Sequence, residues 1–235
     1  MTRVAIIGTG DLAYGLAHLY SINNTASSAN VLEVTKTNLG REGTFHNTGV
    51  PLTDFDDALI RAEVLIFAIP SMALKDFVIA HQGKLNGKVL VDATNSYKPD
   101  QHLSTILKGI SSTDTSETYS GQGPKIAKES VWLDEKSTGF RWVKAFNDVG
   151  AIDMLLRKSD VKTKVPSKMC SNSSSALEMF KSFAETSMGF DIKVVPIEKY
   201  DVIYYGSDSI GKEWVTATWT MVGVFLITGL YNMFR

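Results

Sequence analysis

Cysteine is nearly missing from this sequence: Cys170 is the single one in 235 residues. An internal disulfide and a cysteine-rich zinc site are therefore excluded. Histidine is scarce as well. His18, His46, His81 and His102 lie far apart, with no HxxH or HExxH spacing, so no local metal motif exists and no metal is expected. An excess of one charge is also lacking. Lys plus Arg number 24 against 25 for Asp plus Glu, a formal net charge of −1, which leaves no bulk positive field for nucleic acid. What is present is ordinary for a packed chain: 44% hydrophobic and 21% charged residues, the wrong balance for disorder. The length suits one large domain, or one domain with an appendage. No leader with an apolar core and cleavage site precedes Arg3. The expectation is a protein that folds where it is made, or a processed form.

Arg3-Val4-Ala5-Ile6-Ile7 reads as a buried strand that runs straight into Gly8-Thr9-Gly10-Asp11-Leu12-Ala13. That string fits GxGxxA, and an amphipathic helix with Leu12, Leu16, Ala17 and Leu19 follows it. As a bare string the pattern is common; between a strand and a helix it is the fingerprint of a dinucleotide turn. Gly8 permits the tight turn, Gly10 lets a pyrophosphate approach the backbone, and Ala13 lets the helix pack on the sheet. The helix N-terminus offers free N–H groups and a partial positive charge to the phosphates.

The second strand, Asn30 to Thr35, begins about 20 residues further on, where an NAD site usually ends in an acid that binds the ribose 2′-hydroxyl. Here the end reads Val34-Thr35-Lys36-Thr37-Asn38. Hydroxyls around an ammonium suit a 2′-phosphate, so NADP is favoured over NAD. Glu33 is the competing acid, because strand alternation points it the same way as Thr35.

Further along, Asp54 to Ala62 predicts a short helix with Thr53 as its cap. Glu63 to Pro70 is a buried strand, Ser71 to His81 a helix capped by Ser71, and Lys88 to Asn95 a fourth strand. Residues 109 to 124 read as a surface loop and Lys125 to Lys136 as a helix. Phe140 to Asn147 is an apolar strand, Gly150 to Arg157 a helix, and Lys162 to Cys170 a strand at a sheet edge. Ser173 to Met188 is an amphipathic helix, and Ile192 to Ile197 a last strand. Alternating strands and helices, with near-continuous apolar strands, imply a doubly wound Rossmann-type parallel sheet covered on both faces. Ligands sit beyond the carboxyl ends of such strands, which places Pro70, Ser71, Thr94 and Asn95 beside the nicotinamide. Lys144 is either a phosphate contact or a structural residue.

Together, RVAIIGTGDLAYGLA, VLEVTKTN, AEVLIFAIPSMALKDF, GKVLVDATN, VKAFNDVGA and the MGFD segment resemble the deazaflavin-dependent NADP reductase family. The resemblance is nearest to the cytosolic oxidoreductase domain of the STEAP metalloreductases. It implies that Thr35-Lys36 stands where that family grips the 2′-phosphate with a Ser-Arg pair. It also implies that Asn95 and Asn147 line the cleft facing nicotinamide and flavin, with a flavin-type hydride acceptor. No side chain is an obvious acid–base catalyst, which suits hydride transfer, where cofactors carry the chemistry.

Val215 to Phe234 is a run of 20 residues without charge, preceded by Lys212-Glu213 and followed by Arg235. A helix of that length spans about 30 Å, the thickness of a bilayer's hydrocarbon core. Trp214, Trp219 and Tyr231 lie toward its ends, where aromatic residues favour the interface. The expected organisation is a dinucleotide-binding domain over residues 1–205 and a single-pass membrane anchor over 206–235. The soluble part would face the cytosol or an organelle's matrix or stroma. STEAP proteins carry haem in six membrane helices; this span has no histidine. Two readings stay open: a membrane-anchored NADP(H)-dependent oxidoreductase, or a non-catalytic accessory subunit of a larger respiratory or photosynthetic membrane complex.

Overall fold

The computed structural model describes residues 2–24, 30–35, 42–95, 98–111, 139–158 and 163–197. Among them, eight strands form one sheet in the order β3-β2-β1-β4-β5-β6-β7-β8. They are β1 (Arg3–Ile7), β2 (Val31–Thr35), β3 (Leu52–Thr53), β4 (Val64–Phe67), β5 (Val89–Asp92), β6 (Arg141–Ala145), β7 (Val165–Ser171) and β8 (Phe190–Val194). The helices are α1 (Asp11–Asn23), α2 (Glu42–Phe45), α3 (Phe55–Arg61), α4 (Ser71–Leu85), α5 (Leu103–Ser111), α6 (Ala151–Leu155) and α7 (Ser174–Ser187).

Why β1 is central follows from its residues. Val4 and Ile6 point to one face, Ala5 and Ile7 to the other, and all four are fully buried. Only a strand covered on both sides can be apolar at every position. β1 pairs in parallel with β2 and with β4. From β1 the chain winds outward to β3, then returns to β4 and winds the other way through β5 and β6. That reversal opens a crevice beyond the carboxyl ends of β1 and β4, where such sheets bind ligands.

The same alternation assigns the helices. α1, α6 and α7 cover the face of Val4 and Ile6, with Leu16, Met154, Phe180 and Phe183 among the buried contacts. α3, α4 and α5 cover the face of Ala5 and Ile7, through Leu59, Leu74, Val78 and Leu107. Gly15 lets α6 lie against α1: a Cβ there would sit 2.9 Å from the Met154 side chain and 3.3 Å from the Ala151 carbonyl oxygen.

Several expectations are corrected at the boundaries. The sheet is not wholly parallel, since β7 runs antiparallel to β6. α6, the helix between them, has only five residues. Nor is β7 an edge strand, because β8 pairs with it in parallel across the α7 crossover. Pro70, not Ser71, holds the cap position of α4, which continues to Leu85. Asp54, not Thr53, precedes α3. Ser173 does cap α7, its hydroxyl accepting the Ala176 amide hydrogen at 3.3 Å.

Lys36, residues 112–124, the helix expected over 125–136 and the whole of 206–235 lie outside the described residues. Among the described residues, no helix is long and apolar enough to cross a membrane.

Candidate functional site

β1 ends at Gly8, whose φ of +127° is a backbone conformation that side chains disfavour. Space forbids a side chain as firmly: a Cβ on Gly8 would lie 2.4 Å from the carbonyl oxygen of Ala68, at the end of β4. Gly10 is the opposite case, with nothing within 4 Å of the place its Cβ would take. Gly8 is needed for the fold itself, whereas Gly10 leaves room for something that is not part of the chain. Gly10 is also the N-cap of α1 and makes no side-chain capping bond. The first turn therefore presents its amide hydrogens and positive dipole end toward that space. Thr9 is buried, Asp11 exposed and Leu12 half-buried along this turn. Ala13 is fully buried against the sheet, the small contact required of it. The turn thus has the shape and the donors a dinucleotide pyrophosphate needs.

At the end of β2, Thr35 is fully buried and its Oγ1 accepts the Gly8 amide hydrogen at 3.3 Å. A neutral hydroxyl thus stands beside the glycine turn, where a carboxylate would repel an extra phosphate. Glu33 shares the face of Thr35 but is occupied elsewhere. Its Oε2 accepts from Thr53 Oγ1 at 3.1 Å and from the Arg61 guanidinium at 3.3 Å. Glu33 is 3% exposed, and its Oε1 is buried without a hydrogen-bond partner in the protein.

The opposite end of the crevice is lined by β4, β5 and β6. Ser71, in the first turn of α4, donates to the side-chain oxygen of Gln101 at 3.1 Å, so its hydroxyl ties two segments together and does not cap the helix. Beyond β5 and β6 the predicted pair comes into direct contact: Asn147 Nδ2 donates to Asn95 Oδ1 and, at 2.6 Å, to the carbonyl oxygen of Thr94. Both partners are acceptors, which fixes the amide with nitrogen toward them and Oδ1 away. That Oδ1 is buried and has no hydrogen-bond partner in the protein. An orphaned buried acceptor calls for a donor from outside the chain. Phe146 sets this geometry. It is the single non-glycine residue with positive φ (+66°) among the described residues, while its ring is buried against Phe180 and Phe190.

Beneath the asparagines lies a group that the sequence reading placed only loosely. Lys144 is fully buried and reaches Asp92, its register partner on β5, with Nζ 3.1 Å from Oδ1. Lys144 is therefore no phosphate contact. Asp92 Oδ1 also accepts from the Thr94 amide at 2.9 Å and the Thr94 hydroxyl at 2.7 Å, and Oδ2 from the Leu103 amide at 3.3 Å. Burial pushes Asp92 up, but the Lys144 ammonium and the Thr94 donors outweigh it and hold the carboxyl below its usual range. Burial drives Lys144 down to about 8, against the pull of Asp92. At neutral pH both groups are charged. The signal for this pair was present in the sequence as two charges inside apolar strands, but 52 residues separate them.

Gly8, Thr9, Gly10, Asp11, Leu12, Ala13 and Thr35 thus lie at one end of the crevice, and Ser71, at the start of α4, with Asn95 and Asn147, beyond β5 and β6, at the other. Comparison with known proteins bears on the same region. Residues 3–96 match the family model for NADP oxidoreductases, coenzyme F420-dependent. No curated protein sequence matches the chain. A hypothetical protein from Sinorhizobium meliloti is similar in structure, at 19% identity, with a TM-score of 0.62 over 88% of this chain and 92% of that one. So is a protein described as an F420-dependent NADP-reductase from an Arthrobacter species, at 16% identity and a TM-score of 0.54, covering 96% and 95%. An imine reductase from Myxococcus stipitatus, in complex with NAD+, gives 14% identity and a TM-score of 0.55; the match covers 96% of this chain but only 63% of that one. At such identities the shared property is the fold. The chain shares its doubly wound fold with these proteins, and residues 3–96 carry the NADP oxidoreductase match.

Proposed function

We propose that this chain is an NADP(H)-dependent oxidoreductase that passes hydride to a flavin- or deazaflavin-type acceptor. The observation that carries the reading is the open ground above Gly10 at the start of α1, beside a Thr35 hydroxyl instead of a carboxylate. The family match over residues 3–96 supports the NADP(H) part of this reading. Gly8, Gly10 and Ala13 shape the pyrophosphate seat. Lys36 receives the 2′-phosphate, with Thr35 buried behind the glycine turn as an uncharged neighbour and NAD the weaker ligand. Asn95, Asn147 and Ser71 orient the nicotinamide. A bound nicotinamide dinucleotide supplies the hydride, so the chain's own task is positioning and the exclusion of water.

The uncharged run Val215 to Phe234 extends the proposal to a single-pass membrane anchor following a domain over residues 1–205. In this it is STEAP-like in its nucleotide domain and unlike STEAP proteins in its membrane part. The domain would face the cytosol or an organelle's matrix or stroma, with other membrane subunits as partners. A second reading, a non-catalytic accessory subunit that binds nucleotide, is favoured by the sealing of Asp92 and Lys144 away from the cleft, which leaves amides and hydroxyls there.

Calorimetric titration of the full chain with NADPH and NADH tests the proposal. NADPH binds more tightly, and Lys36→Glu weakens it by about tenfold or more while sparing NADH, since a charge reversal beside a phosphate removes attraction and adds repulsion. If neither nucleotide binds, the cofactor assignment fails. If NADPH binds but flavin and artificial acceptors give no turnover, the accessory reading stands. Release of the chain by carbonate extraction would exclude the anchor.

A further inference from the structure

A lysine buried within an apolar sheet is costly, and a buried ion pair is often no more stable than the apolar residues that could replace it. Its retention points to a geometric task. A pair serving only to join β5 to β6 would end at the carboxylate. Here the ammonium goes further: Lys144 Nζ also donates to the carbonyl oxygen of Thr94 at 2.6 Å. That same oxygen accepts from Asn147 Nδ2 at 2.6 Å. Asp92 meanwhile holds Thr94 by its amide and hydroxyl. Thr94 is thus clamped by both members of the pair, and its carbonyl oxygen is fixed in direction. The amide that reads this carbonyl is the one whose Oδ1 is left as a buried, unpartnered acceptor.

From this geometry we infer that the Lys144–Asp92 pair is a positioning device for the nicotinamide end of the site: it fixes the Thr94 carbonyl, which holds the Asn147 amide with Oδ1 ready to accept an N–H from the ligand. This deepens the proposed function and rests on its nucleotide site. The carboxamide of nicotinamide carries an N–H donor of the required kind, and the adenosine half of the cofactor lies at the other end of the crevice. Loss of the device therefore harms one end of the ligand and spares the other. Lys144 and Asp92 touch no ligand themselves and act through Thr94 and Asn147.

The test uses the full chain and two probes, NADPH and adenosine 2′,5′-bisphosphate, which keeps the 2′-phosphate but has no nicotinamide. Lys144→Met preserves length and removes the donor. Asp92 then still accepts from Thr94 and from the Leu103 amide. Should that variant not fold, Lys144→Met combined with Asp92→Asn removes the unpaired charge as well. The expected result is about a tenfold weaker NADPH, the scale of one well-placed hydrogen bond, with the bisphosphate changed less than about twofold. Adding Asn147→Ala to Lys144→Met should weaken NADPH no further than Asn147→Ala alone, because the two act in series. Equal loss for both probes, unchanged NADPH binding, or additive effects with Asn147→Ala would each overturn the inference while leaving the nucleotide site intact. If the wild-type chain binds neither probe, the nucleotide reading itself fails and the inference falls with it.

Discussion

The hydroxyl of Thr35 accepts the amide hydrogen of Gly8 at 3.3 Å, joining the end of β2 to the first glycine of the dinucleotide turn. The side chain at position 35 therefore lies directly behind the glycine turn. Thr35→Asp puts a carboxylate there. NADPH should weaken by about tenfold or more through repulsion of the 2′-phosphate, while NADH holds or gains. The ratio of the two dissociation constants is the measurement; equal weakening of both would mean that position 35 does not discriminate.

The two glycines of the turn should separate folding from binding. Gly8→Ala sets a carbon 2.4 Å from the Ala68 carbonyl oxygen on a backbone at φ +127°, so a stability loss of about 2–4 kcal/mol is expected. At Gly10→Val the new Cβ meets nothing within 4 Å, so the change should leave stability within about 1 kcal/mol, yet abolish nucleotide binding by filling the pyrophosphate space. Urea unfolding and NADPH titration of both variants decide it. A Gly10→Val protein that binds normally would place the phosphates elsewhere.

Stability should depend on pH at two ends. Lys144 has a folded value of about 8 against an ordinary 10.5, so between those values the unfolded chain binds more protons. This group's contribution then rises with pH from 8 to 10.5, by about 3 kcal/mol in full, and its burial cost is undiminished below 8. Asp92 is held below 3.8, so its contribution is present above that value and is lost as pH falls beneath it. Compared with the Lys144→Met, Asp92→Asn protein, the wild type should lose stability below pH 4 and gain it above pH 8. Parallel curves would show that the pair does not titrate on unfolding.

Toward the β8 edge of the sheet, Ser173 satisfies the Ala176 amide at the start of α7. Ser173→Ala should cost about 1 kcal/mol, with nucleotide affinity unchanged because the cap serves the first turn of α7, away from Phe180. A change in affinity would tie the start of α7 to the site.

What was legible in the residues follows their range of action. The glycine turn could be read because its physics is local: six consecutive residues fix a turn, a space and a helix start. β1, β4 and β5 were readable because strands buried on both faces are apolar throughout. The capping roles of Thr53 and Ser71 misread because both hydroxyls found partners far away in sequence, Glu33 and Gln101. Strand alternation could not show that Arg61, 28 residues on, engages the Oε2 of Glu33. The direction of β7 left no local signal in the residues, and the expected helix of Gly150 to Arg157 is longer than the observed Ala151–Leu155.

Phe146 has one further consequence. Its ring is wedged among Phe180 and Phe190 while its backbone turns the wrong way for an L-amino acid, so the aromatic interior and the mouth of the crevice are mechanically one piece. Interior substitutions that never approach a ligand, such as Phe180→Leu, should register at Asn147 as torsion released through a single peptide unit.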